Sequence, residues 1–306
     1  MHWMDVLRGA AVLLVVLVHA SFLGVDDMPR VVLWLNDAAA PFRMPALVFA
    51  SGLLLPRSLE KDPRDFVAGK ARGLLWPWLV WTAVMVPLAG WAAAQSPLWW
   101  IGGTHTWFLS VLFVLYMIAL GARRVPLWAM AGVCLIAHQL VLLLGDEALL
   151  HFPTEVTWFG VFFFVGAMLR ERMITGRMPR GSLPVALLVA AAWTLYAVKS
   201  GGAERDSVIA SAASLAGVLA ICLLAQKLPR IRLVEWMGRN SIVIYVVHWP
   251  VVSLLYLTHE PIAGWVGIAE RFLIPLGVAL AAAWLRPWTT WLYALPARSR
   301  DRQLVA

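Results

Sequence analysis

Residues 2–21 read HWMDVLRGAAVLLVVLVHAS, an apolar run long enough to enter a bilayer that nevertheless keeps Asp5, Arg8 and His19. A hydrocarbon core of roughly 30 Å is crossed by about 20 apolar residues in a helix. Runs of this kind recur down the whole 306-residue chain, which is 61% hydrophobic and only 14% charged. Its mean hydropathy is +0.78. A soluble domain of this size carries far more polar surface. The composition predicts an all-α fold: one polytopic transmembrane helical bundle over residues 1–306. The runs place about ten spans, near residues 6–24, 34–55, 71–94, 105–121, 126–144, 155–170, 183–199, 207–226, 240–258 and 264–285. Pro41, Pro45 and Ser51-Gly52 interrupt the second, and the sixth is short.

The net charge of +8 raises the question of nucleic acid, and its distribution answers against it. Basic residues crowd alternate loops, as in Arg57, Lys61, Arg64, Lys70 and Arg72, or Arg170, Arg172, Arg177 and Arg180. In the other loops only Arg30, Lys199 and Arg205 occur, and Arg43 and Arg271 lie inside spans. That asymmetry follows the positive-inside rule. It predicts both termini in the cytoplasm, residues 286–306 as a cytoplasmic tail, and the loop near Glu260 outside. Membrane lipids are therefore the expected partners of the charge, and nothing in the residues sets an oligomeric state. The first span has no A-x-A cleavage site and reads as a retained helix. Cys134 and Cys222 fall inside spans, so neither a disulfide nor a metal site is indicated. Trp76, Trp78, Trp81, Trp99 and Trp100 fall near span ends, as interfacial anchors do. The longest cytoplasmic loop, PRSLEKDPRDFVAGKAR, is too short to fold alone.

Arg8 and His19 are eleven positions apart, which is three helical turns plus about 20° and roughly 16 Å along the axis. They share one face. Asp5, three residues before Arg8, can pair with it on the same stripe. Arg8 alone reads first as a positive-inside anchor, and His19 alone as a packing residue bonded to a neighbouring helix. Two ionisable groups on one face of a span favour function, because each is costly to insert.

DVLRGAA followed by His19 resembles the opening motif of the acyltransferase-3 family of integral membrane acyltransferases. Further fragments are similar in the same order: PFRMPALVFASGLLLPRS, KARGLLWPWLVW, THTWFLSVLFVLY, FFFVGAML and MGRNSIVIYVVHWPVV. The resemblance implies an enzyme that moves an acyl group from cytoplasmic acyl-CoA to a hydroxyl of a cell-surface glycan, lipid-linked sugar or small molecule. It implies acyl-CoA as co-substrate with no bound cofactor, and a bacterial plasma membrane as the location. It makes His19 the catalytic base, or else a transient acyl carrier, and gives Arg8, with Asp5, to the donor. A transporter, or a non-catalytic partner of a glycan-export system, are the alternatives from other classes.

Arg43 departs from the family, where an aromatic residue is common. Its expected neighbour is a carboxylate such as Asp37 or Glu270, or an anionic group on donor or acceptor. Trp107 reads as a wall beside the acceptor or as an interfacial residue, and His105 as interfacial. His248 lies beside Pro250, which frees a backbone carbonyl, and is expected to support the site by a hydrogen bond across the bundle. Glu270 and Arg271, with Asp37 and Arg43, would give the outer half a polar pocket. His138 reads as packing. Asp26, Asp27, Asp146, Glu147 and Glu155 read as solvated loop charges, and Ser51-Gly52 as a close helix contact.

Overall fold

The computed structural model describes residues 2–145, 147–202 and 205–296, and among these the regular structure is helical. The readings placed on Asp146, on the Glu147 side chain, and on the basic tail positions 298, 300 and 302 lie outside the described residues. Each of the ten stretches carries a helix: α1 His2–Ala20, α2 Arg30–Gly52, α3 Pro63–Ala89, α4 Trp107–Gly121, α5 Leu127–Leu144, α6 Glu147–Thr175, α7 Ser182–Ser200 and α8 Val208–Ala225, followed, after a short α9 Arg232–Arg239, by α10 Ser241–Thr258 and α11 Gly264–Trp284. Eight of them are long and apolar enough to cross a membrane. The other two are α2, which includes Arg30, Asp37 and Arg43, and α4, which has 15 residues.

The boundaries move where composition misleads. The expected loop before residue 71 is largely helical, because α3 begins at Pro63 and passes through a wider turn at Ala71–Leu75. The sixth span extends to Glu147–Thr175, since backbone hydrogen bonding continues past the charges that end the apolar run. Pro41 and Pro45 leave α2 continuous. The described part of the expected tail is not loose. Leu295 N donates to Arg72 O at 3.1 Å, and the indoles of Trp76 and Trp81 donate to Trp291 O and Leu292 O at 2.6 and 3.1 Å. Those tryptophans tie α3 to the segment after α11, so their N–H groups meet protein carbonyls rather than lipid headgroups.

The centre of the bundle is formed by α1, α2, α6 and α10, with fully buried Val16, Phe49, Phe162 and Val246 among its side chains. Small residues let backbones touch there. A Cβ on Gly52 would stand 2.0 Å from Phe163 O, so the expected close contact at Ser51-Gly52 is made by α2 against α6.

Helix α9 packs across the start of α1 in the same way. A Cβ on Gly238 would lie 1.8 Å from Asp5 O, and one on Gly9 2.2 Å from Val234 O. A methyl group at either place must push the two helices apart, and overpacking costs about 1–3 kcal/mol. Gly238→Ala is therefore expected to lower the apparent melting temperature of the detergent-solubilised protein by several degrees, read by tryptophan fluorescence. An unchanged transition would mean that the backbones of α1 and α9 are not in contact.

Candidate functional site

The inner face of α1 carries Arg8, Val12 and Val15, which line one cavity of about 140 Å³ together with Leu47 and Ser51 of α2 and Tyr245 of α10. Arg8 stands at one part of this wall. It is half-buried and has no hydrogen-bond or ion-pair partner among the described residues. Tyr245 marks another part, and its ring lies 6.1 Å from that of His248, one turn further along α10. The cavity thus runs from an unpaired guanidinium towards a cluster of histidines.

His19 occupies the last turn of α1. Its Nδ1 lies 2.7 Å from His248 Nε2, and the two rings are nearly parallel, 10° apart, with centroids separated by 5.0 Å. The edge of Trp249 closes on His19 at 4.6 Å. His248 is fully buried, and its own Nδ1 is 3.0 Å from Ile244 O. These partners set the protons. A carbonyl only accepts and a neutral imidazole has one N–H, so His248 donates through Nδ1 and accepts at Nε2. His19 must then donate through Nδ1. Its Nε2 is left with a free lone pair and no protein partner among the described residues. An imidazole oriented by a second group, itself held by a third, is suited to proton abstraction.

His105 completes the cluster, although its sequence context reads as interfacial. It is 6% exposed, its Nε2 lies 3.1 Å from Val246 O, and its ring stands edge-on to His248 at 6.1 Å. Val246 O is the carbonyl four residues before Pro250, which has no N–H to offer it. The freed carbonyl is thus occupied by the imidazole of another element. Tyr245 OH donates to His105 O, so α10 holds the start of α4 at two points.

Other expected residues fall elsewhere. Asp5 reaches Arg239 of α9 at 4.0 Å and not Arg8, because α9 lies directly over that end of α1. Trp107 stacks on Phe159 at 5.5 Å, whereas the rings against His19 are Phe22, His248 and Trp249. Glu155 is buried within α6 and bonds Arg205 at 3.0 and 3.2 Å, which corrects its reading as a solvated charge. His138 lies 2.6 Å from Arg205 O and so steadies the same corner. The outer polar pocket does not form as expected. Among the described residues no ion pair joins Asp37, Arg43, Glu270 and Arg271; Glu270 Oε2 is buried without a partner, and Arg271 reaches His259 O at 3.4 Å.

The family model for the acyltransferase domain of acyltransferase-3 proteins matches residues 1–295. The chain belongs to the acyltransferase-3 family. No curated protein and no solved structure matches it. The protein is accordingly an acyltransferase and a multi-pass membrane protein, with helices of the necessary length and apolarity. Within this acyltransferase-3 member, Arg8 lines the cavity that Tyr245 also lines, and His19 and His248 form one hydrogen-bonded pair although they are 229 positions apart.

Proposed function

We propose that the protein transfers an acyl group from cytoplasmic acyl-CoA to a hydroxyl of a cell-surface glycan, a lipid-linked sugar or a small molecule, in a bacterial plasma membrane. The reading is carried by the contact between His19 Nδ1 and His248 Nε2, which leaves the Nε2 lone pair of His19 without a protein partner among the described residues. In the transfer, His19 Nε2 takes the proton of the acceptor hydroxyl as its oxygen attacks the thioester carbonyl. The new C–O bond forms, the C–S bond breaks, and the imidazolium returns its proton to the departing CoA thiolate. Arg8, unpaired on the cavity wall, engages a phosphate or carbonyl of the donor. Asp5, held at Arg239, acts on the donor only through the placement of α1.

Mass spectrometry of surface glycans and membrane lipids, with and without the gene, tests this. The expected result is an acyl mass that disappears with the gene and returns with the wild-type copy. Purified protein in nanodiscs should also release CoA thiol from acetyl-CoA when an extract containing that acceptor is added. Unchanged glycan and lipid masses, with no thiol release, would overturn the reading.

A further inference from the structure

Arg43 lies well inside α2, 13 positions after its first residue, and no carboxylate neutralises it among the described residues. Its Nη1 is buried without a hydrogen-bond partner. A guanidinium at such depth is expensive unless something anionic or aqueous receives it. What surrounds it is a groove of about 440 Å³ between α1, α2, α7 and α8, otherwise lined by apolar side chains and Thr194, among them Leu7, Leu14, Phe42, Ala191 and Ala220. That volume is typical of a ligand site.

The groove is separate from the Arg8 cavity. On α1 its residues are Leu7, Ala10, Ala11 and Leu14, about 120° around the helix from Arg8, Val12 and Val15 at 100° per residue. Arg43 stands close to both spaces. It lines the groove, yet stands one turn from Leu47, which lines the inner cavity with Ser51 on the same stripe. A single cation at the inner edge of an apolar trough is complementary to one kind of molecule, an amphiphile with an apolar chain and an anionic head.

We infer that this groove binds an anionic lipid, with its chain between α1, α2, α7 and α8 and its head on Arg43. On the proposed transfer, on which this step rests, the lipid carries the acceptor hydroxyl and delivers it sideways from the bilayer, while the donor uses the Arg8 face. Binding itself requires no transfer and can be measured alone.

The test uses full-length protein in phosphatidylcholine nanodiscs, titrated with hexadecyl phosphate and followed by native mass spectrometry. A charge-assisted hydrogen bond is worth about 1.5–3 kcal/mol, so Arg43→Gln should weaken binding roughly ten- to a hundredfold. Arg43→Lys should retain most of it, and Ala191→Trp should weaken it by filling the groove. Hexadecanol should bind far less well than hexadecyl phosphate, and inorganic phosphate should not displace the latter at equal concentration. Equal affinity in wild type and Arg43→Gln overturns the inference, as does equal affinity for hexadecanol. Displacement by inorganic phosphate overturns it in favour of a soluble anion. If Arg43→Gln fails to accumulate, unchanged binding in Ala191→Trp overturns it instead. His19→Ala protein should bind hexadecyl phosphate normally, so a loss of transfer with intact binding bears on the catalytic role of His19 and leaves the lipid site standing.

Discussion

His19→Ala protein is expected to insert and accumulate like wild type and to lose acyl transfer about 10²- to 10⁴-fold, the range in which a positioned general base contributes. The side chain sits in the last turn of α1 and is half-buried, so its removal leaves the packing of Val12, Val15 and Val16 in place. The companion variant is more discriminating. In His248→Phe the His19 Nδ1–H loses its acceptor, and the imidazole is free to adopt the other tautomer. A positioning role predicts an intermediate loss, about 10- to 100-fold as for other orienting partners, in kcat with little change in KM for acyl-CoA. The pH profile of transfer should change shape as well, since the titrating pair is broken. Full turnover by well-folded His19→Ala protein would remove the base from the mechanism. A His248→Phe enzyme with wild-type kcat and pH profile would return His248 to packing.

Arg8→Lys is expected to weaken acyl-CoA binding or turnover roughly ten- to a hundredfold while leaving topology unchanged. Either cation satisfies the positive-inside rule, so an anchoring role predicts little loss. A guanidinium that grips a phosphate or carbonyl supplies a planar fork of donors that an ammonium cannot reproduce. One charge-assisted hydrogen bond, worth about 1.5–3 kcal/mol, sets the size of the effect. Arg8 is suited to this because no described carboxylate competes for it; Asp5 is taken by Arg239. Asp5→Asn should accordingly change donor affinity less than Arg8→Lys, since an exposed pair of this kind contributes at most about 1 kcal/mol. Donor affinity and single-turnover rate across these forms check both expectations. Wild-type kinetics in Arg8→Lys would leave Arg8 as an anchor.

What the residues disclosed was whatever a single helix can fix. The shared face of Arg8 and His19 follows from 3.6-residue periodicity alone, and the cavity lined by Arg8, Val12 and Val15 lies on that face. The partner of His19 was foreseen only in kind, because nothing local to position 19 points to position 248. Pro250 announced a free carbonyl, but not that His105 would take it. The i,i+3 spacing of Asp5 and Arg8 favours a pair that the fold does not make, because a tertiary neighbour, Arg239, takes Asp5. That neighbour belongs to α9, eight amphipathic residues too short and too charged to stand out among long apolar runs. Glu155 was lost to a boundary: a charge at the edge of an apolar run looks like loop, although the helix goes on beyond it. Arg43 was legible as an anomaly and not as a place, because the groove that receives it is made by four helices.

The span of 229 positions between His19 and His248 also orders events during synthesis. At about 5–20 residues per second, the ribosome needs roughly 10–50 s to proceed from one histidine to the other. Throughout that interval α1 is already made, yet the imidazole that fixes its proton does not exist, and the backbone of α9 that presses on Gly9 is also among the last parts to emerge. The first helix to be born is thus among the last to be finished. A nascent chain cut anywhere before α10 carries His19 without its hydrogen-bond partner, so this pair is completed only near the end of synthesis.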